Sequence, residues 1–524
     1  MLNQISILKK SFIYMATTIG IVVSLTATQS RGQVQTQAPA RSREPSQEQA
    51  PAKIIAATFK QSAIVNVHGR QDLNIGLSFE DWLNTEAQIA FTKMMANVSP
   101  AGSASGSVVA SPSKFNPDYW FTWVRDSALV MNVVVDNYAA SQGADKALWF
   151  KTLADYASFS RRLQQSNAPT GLGEPKFEAD GSVFSGPWGR PQNDSPALRA
   201  LTLCHWATDL IADNRTDFVR QNLYASEIPA SKVIKADLEY VAYHWRESSF
   251  DLWEEVRGDH FYTRMVQHAA LRAGSKLAAQ LGDAGAANFY SQQADQVEQS
   301  IESFWDNQRS TFVTTLNRVD GLSYKTSNLD SALVLGVLHA GFNTGALSPM
   351  DDRVMATAAQ VEGSMAGIYA INDANRFAGV APAIGRYQED TFSGQDGIHV
   401  GNPWVLNTAA FAELYYKVAT ATGAQGKFTI SARNLAFIRN AVGAQLGSGT
   451  LVPGLQVTKG TAEFDQLIQK LLDRGDAFMR RVRLHENPDG SLAEQIDRTS
   501  GYMCSAHDLT WSYAAFITAF WARP

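Results

Sequence analysis

Two short acidic segments are where this 524-residue chain places side chains able to move protons. The first reads Phe250-Asp251-Leu252-Trp253-Glu254-Glu255-Val256. Breaking a glycosidic bond takes a protonated carboxylic acid against the leaving oxygen, and a second carboxylate that activates water or attacks the anomeric carbon. If the segment is helical, Asp251 and Glu254 share a face and Glu255 points elsewhere. Crowding beside Trp253 would then raise the pKa of one carboxyl and keep it protonated. The same residues also suit a solvated first helical turn, and the cluster alone favours that plainer reading. The second segment, Pro488-Asp489-Gly490-Ser491-Leu492-Ala493-Glu494-Gln495, places a single acid, Glu494, after an Asp-Gly turn. Taken by itself, Glu494 is an ordinary loop acid.

Longer strings surround these acids. In order they are Asn116-Pro117-Asp118-Tyr119-Trp120-Phe121-Thr122-Trp123-Val124-Arg125-Asp126, Gly173-Glu174-Pro175-Lys176-Phe177 and Gly186-Pro187-Trp188-Gly189-Arg190-Pro191-Gln192. Then come Asp251 to Glu255, Gly385-Arg386-Tyr387-Gln388-Glu389-Asp390, Gly401-Asn402-Pro403-Trp404 and Ser505-Ala506-His507-Asp508-Leu509-Thr510-Trp511-Ser512-Tyr513. With these, nearly everything from Ser78 onward resembles the fungal and yeast glucoamylases of glycoside hydrolase family 15. The resemblance implies an all-α (α/α)6 barrel with its pocket at one end, an inverting mechanism and no cofactor. It implies Glu254 as general acid, Glu494 as general base, Asp251 as an auxiliary acid and Ser505 as the hydroxyl orienting the base. Arg125 and Asp126 would grip the terminal glucose, and a guanidinium fork beside a carboxylate suits adjacent hydroxyls. Lys176 and Arg386 would donate to hydroxyls. Tyr119, Trp123, Trp188 and Trp404 would form walls, with Trp253, Glu255 and Asp390 near the bond being cut.

Helical periodicity dominates the elements that must position these groups. It predicts helices over 82–98, 127–138, 147–163, 196–211, 231–245, 261–281, 284–305, 333–340, 403–420, 432–442, 464–480 and 507–520. Ser195-Pro196 and Asn402-Pro403 each read as an N-cap followed by proline at the first helical position. The connections over 172–194 and 372–401 are long and rich in Gly and Pro, as functional loops are. No short repeat and no strand–helix alternation is present, which leaves an all-α domain of paired helices. A terpene cyclase shares such a ring, but Asp351-Asp352 lacks the further acids that a diphosphate-bound metal requires.

Composition narrows the partner. Net charge is −5 and no basic block would track nucleic acid, whereas 12 Trp suit the flat faces of a neutral sugar. The nine His show no metal-ligand spacing. Lys9 and Lys10 before an apolar run over 12–27 read as a signal peptide or an N-terminal anchor over 1–28, the anchor being the one route to a membrane. Residues 29–54 read as a linker, and 55–524 as a single catalytic domain acting as a monomer. Cys204 and Cys504 leave a bridge open, and Asn214-Arg215-Thr216 is a glycosylation sequon, with weaker ones at Asn97 and Asn193. These features favour secretion. The last motif runs close to Pro524, so no starch-binding module is expected, and soluble dextrins rather than granules are the expected substrates. Departures from the resemblance at Arg257-Gly258-Asp259-His260, at Ile496 and in the loop over 393–400 bear on chain-length preference. Two other readings stand beside an exo-glucosidase of α-1,4-glucans: a related enzyme preferring trehalose, dextran or isomaltosides, and a silent sugar-binding relative.

Overall fold

The computed structural model describes residues 77–375, 377–394 and 400–524. The expected leader and linker, the first part of the expected catalytic domain and most of the loop over 393–400 therefore lie outside the described residues. Among those described, thirteen helices of eight or more residues form: α1 (Phe79–Ala96), α2 (Val124–Ala140), α3 (Gly143–Gln164), α4 (Ser195–Ala212), α5 (Val233–His244), α6 (Phe261–Gln280) and α7 (Ala284–Ile301). They continue as α8 (Ala332–Ala340), α9 (Asp352–Ala366), α10 (Val405–Gln425), α11 (Leu435–Val442), α12 (Ala462–His485) and α13 (Thr510–Ala522).

Packing order explains the architecture. α2, α4, α6, α8, α10 and α13 each pack on the next, and α13 returns to α2, closing an inner ring. α3, α5, α7, α9, α12 and α1 pack outside α2, α4, α6, α8, α10 and α13, so the fold is an (α/α)6 barrel. Burial follows from this. Inner α10 buries 15 of its 21 residues, Asn407, Thr408 and Glu413 among them, while outer α3 buries 7 of 22 along one stripe. An inner helix has neighbours on every side and an outer one does not.

All twelve expected helices form, with shifted ends. α9 was not expected; Asp351 and Asp352 were considered only as a metal pair, and set aside. Instead the Asp351 carboxylate caps the helix, accepting from the Arg353 N–H at 2.9 Å, and Asp352 is its first residue. Two start signals need correction. Ser195 is the first residue of α4 with Asp194 before it, and Asn402-Pro403 precedes extended Trp404, with α10 starting at Val405. Cys204 and Cys504 are both free thiols. Asn97 and Asn193 are buried, which removes them as glycan acceptors, whereas Asn214 is exposed on the turn after α4.

Candidate active site

The groups of interest gather at one end of the barrel, on segments that lead into inner helices. Strand β1 (Phe121–Trp123) pairs with β2 (Lys176–Glu178) and runs straight into α2, so Arg125 and Asp126 occupy its first turn. Strands β3 (Ser249–Phe250) and β4 (Val256–His260) flank the turn carrying Glu254, and β5 (Thr315–Gly321) pairs with β4. Glu494 precedes β6 (Gln495–Ile496), which pairs with β7 (Met503–Cys504) just before Ser505.

The Glu254 segment is a tight turn, not a helix. Its N–H donates to the Asp251 carbonyl at 2.9 Å, and Glu254 sits in the left-handed region at φ 68°. For a residue other than Gly that conformation costs ~1–3 kcal/mol. The bonds beneath the turn offset it: Asp251 Oδ1 accepts from the N–H groups of Glu255 (2.8 Å) and Val256 (3.1 Å). Asp251 Oδ2 lies 3.4 Å from Lys325 Nζ, which also meets Asp330 Oδ2 at 2.5 Å, all three buried. Trp253 Nε1 donates to Asp330 at 2.9 Å. Gly189 lets the neighbouring loop press on the turn, since a Cβ there would lie 2.5 Å from the Glu254 carbonyl oxygen.

Glu254 Oε1 accepts from Trp123 Nε1 (2.8 Å) and Gln192 Nε2 (3.0 Å), with Arg125 Nη2 at 3.7 Å. With donors converging on Oε1, a proton on this carboxyl belongs on Oε2. Glu494 is 2% exposed; its Oε2 accepts from Gln495 Nε2 at 3.0 Å and from the Ser505 hydroxyl, and the Tyr119 hydroxyl also bonds the carboxyl. Ser505 is itself left-handed, at φ 65°. Burial pushes Glu494 up to about 7, against the lowering pull of Ser505, Tyr119, Arg386 and Gln495.

Glu254 and Glu494 open on one cavity of about 690 Å³. Tyr119, Trp123, Trp188, Trp253 and Trp404 supply aromatic walls, and Arg125, Asp126, Glu255 and Arg386 supply polar ones. Arg125 Nη1 donates to Gln192 (2.8 Å) and Asp194 (3.0 Å), while its Nε faces Asp126 Oδ2 at 3.6 Å in a buried ion pair. Burial raises Asp126 to about 6, with Arg125 opposing. Arg386 binds Glu255 Oε1 at 2.7 Å and Asp390, and Tyr387 donates to Glu255 Oε2 at 2.6 Å.

Four expected site residues do not line this cavity. Asp251 does not share a face with Glu254: its carboxylate turns under the strand ends, onto the Glu255 and Val256 N–H groups. Burial works against its charge, but Lys325, His260 and the two backbone N–H groups outweigh it and hold the carboxyl below its usual range. Lys176 lies behind the lining rings of Trp123 and Trp188. Its ammonium is enclosed by the rings of Trp188 (3.6 Å), Phe121 (3.9 Å), Phe184 (4.2 Å) and Trp123 (4.6 Å), and burial lowers it to about 8. Asp390 is consumed by Arg386 and the Phe392 N–H, and Ser505 stands behind Glu494. Sequence reasoning missed Lys325 and Asp330, Gln495, and the cavity-lining Leu322, Tyr324 and Thr391. Gln192 sat inside a quoted string without a role.

Two carboxyls opening on an aromatic-walled cavity, at one end of a closed helical ring, meet the requirements for cutting a glycosidic bond. The protein is a glycoside hydrolase of the helical-barrel class. Residues 86–521 match the model of glycosyl hydrolases family 15, and the chain belongs to that family. It is 36% identical to glucoamylase 1 of Rhizopus oryzae over 447 residues, 85% of this chain and 71% of that one. It is 34% identical to a glucoamylase of Saccharomycopsis fibuligera over 484 residues, 85% and 90% of the two chains. Among solved structures it is similar to the family 15 glucoamylase of Hypocrea jecorina, at TM-score 0.76 and 34% identity, covering 85% of this chain and 72% of that one. It is similar also to a Saccharomycopsis fibuligera glucoamylase, at TM-score 0.76 and 30% identity, covering 85% and 96%.

Proposed function

We propose that the protein is an inverting exo-hydrolase that releases β-D-glucose from the non-reducing ends of α-1,4-glucans such as starch, dextrins and maltooligosaccharides, and more slowly cuts α-1,6 links. The names of its relatives supply the substrate class. One observation carries the reading: Glu254 and Glu494 share a cavity of about 690 Å³ that is also lined by Arg125 and Asp126, a buried ion pair 3.6 Å apart. That volume lies within the ~300–1,000 Å³ of small-ligand pockets, which suits a short run of glucose units.

In the first step the terminal glucose is held by Arg125 and Asp126. Glu254 gives the proton on Oε2 to the glycosidic oxygen as the bond to the anomeric carbon breaks. Glu494 takes a proton from a water on the opposite face of the sugar, and that water's oxygen joins the anomeric carbon with inversion. Gln495 and Ser505 donate to Oε2 of Glu494 and the Tyr119 hydroxyl also bonds the carboxyl, which stabilises the ionised form that takes this proton. The anomer and size of the first product from maltoheptaose, followed by NMR, test both parts. β-Glucose alone is expected; α-glucose would overturn inversion, and maltose or longer fragments would overturn exo-action. Trehalose or isomaltose cleaved faster than maltose would favour the alternative specificity.

We place the enzyme outside the cell as a monomer. Support for secretion comes from the charged and apolar start of the chain and from exposed Asn214 in its sequon.

A further inference from the structure

One aromatic ring at the cavity mouth is unexplained by the chemistry above. Residues 322–325 link β5 to the buried Lys325. The link is fixed at both ends: the Leu322 N–H donates to the Glu255 carbonyl at 3.0 Å, and Lys325 is locked between Asp251 and Asp330. Arg318 ties it from outside, donating to the carbonyls of Leu322 (2.7 Å) and Lys325 (2.9 Å). Gly321, at φ 91°, permits the close approach, because a Cβ there would collide with the Glu255 carbonyl.

Tyr324 inherits this rigidity. Its hydroxyl lies 2.9 Å from Thr391 Oγ1, and it lines the cavity while remaining 41% exposed. A tied tyrosine with an open ring has given up rotamer freedom without burying its face. Such a face matches the C–H surface of a pyranose. Among the residues lining the cavity, Arg125 (3%), Asp126 (8%), Glu494 (2%) and Arg386 (3%) are all buried, whereas Tyr324 at 41% stands open to solvent, at its mouth.

We infer that Tyr324 is a stacking platform for the third glucose from the non-reducing end, and that it sets the preference for maltotriose and longer chains over maltose. The inference rests on the α-glucan reading above. Kinetics of Tyr324→Ala and Tyr324→Phe on maltose and maltotriose test it, together with calorimetric binding of both sugars to the Glu494→Gln protein with and without Tyr324→Ala. Tyr324→Ala is expected to lower the maltotriose-to-maltose ratio of kcat/KM by about five- to tenfold, through KM rather than kcat, while Tyr324→Phe keeps most of it. An unaltered ratio in Tyr324→Ala overturns the platform while leaving the α-glucan reading intact. If the unsubstituted protein cleaves neither sugar, that reading fails separately and the binding ratio decides: a drop on Tyr324→Ala supports the platform. An equal ratio, or no binding of either sugar, overturns it.

Discussion

The turn that carries Glu254 is underpinned by charge, whereas the loop that carries Glu494 is held by neutral groups. Below Glu254 lies the buried Asp251–Lys325–Asp330 array, which braces a left-handed backbone. Around Glu494 the donors are a serine, a tyrosine and a glutamine amide, and burial dominates its proton affinity. The contrast separates two jobs. Buried ions fix where a backbone goes, because breaking such an array costs several kcal/mol. Hydroxyl donors adjust when a carboxyl holds its proton, at about one hydrogen bond each. Substitutions beneath Glu254 should therefore register as stability, and those around Glu494 as pH dependence.

The largest effects belong to the two carboxyls. Glu254→Gln and Glu494→Gln should each lower kcat on maltotriose by about 10³-fold, as loss of a general acid or base does, while sugar binding survives. Turnover within tenfold of normal in either variant would remove that residue from the reaction. Next comes Lys325→Met, which strands two buried carboxylates and should cost ~3–5 kcal/mol, seen as a lower urea midpoint at constant slope. Ser505→Ala should shift the same midpoint by no more than ~1.5 kcal/mol. Equal midpoints for these two variants would dissolve the contrast.

How much of this was legible in the sequence depends on what each residue's role requires. Twelve helices were, since inner and outer helices both repeat at 3.6 residues, whereas their closure into a ring was reached only through the resemblance, and α9 went unread. Glu254 was picked out for a reason the structure corrects: its neighbours are not on one helical face, and Asp251 turns away beneath the strands. Glu494 had no local signature and was reached only through resemblance. Its environment comes from Tyr119 and Ser505, distant or across a hairpin in sequence, and Tyr119 and Arg386 reach it from other parts of the barrel. Lys176 and Lys325 show the limit most plainly. Each is a lone lysine in the chain, yet one is enclosed by four rings and the other by two carboxylates, and only tertiary packing distinguishes them.

A smaller effect concerns the proton on Glu494. The Ser505 hydroxyl stabilises the ionised form, so its removal should raise the carboxyl further above its usual value. A base works only when ionised, so activity falls as pH drops through that pKa. Ser505→Ala should therefore move the acid limb of kcat/KM upward by about one pH unit, with up to tenfold lower activity on the acid side and recovery above it. A uniform loss at every pH would mean that Ser505 positions Glu494 without tuning it.

The smallest predicted effects come from the walls, where the two sides should behave alike. Trp188, beside the Glu254 turn, and Trp404, beside Gln495, each bury an indole N–H with no partner among the described residues. A buried donor without a partner costs ~1–3 kcal/mol in the empty protein, a cost that a sugar hydroxyl can relieve. Trp188→Phe and Trp404→Phe keep an aromatic face and delete that donor, so each should raise KM for maltotriose about two- to tenfold with little change in kcat. Because neither substitution touches the buried ions or the Glu494 donors, the acid limb should stay in place, and the urea midpoint should hold or rise as the unpaired donor is removed. A shift of the acid limb in Trp404→Phe alone would show that this wall also governs the proton on Glu494, and the division between the two sides would then be one of degree.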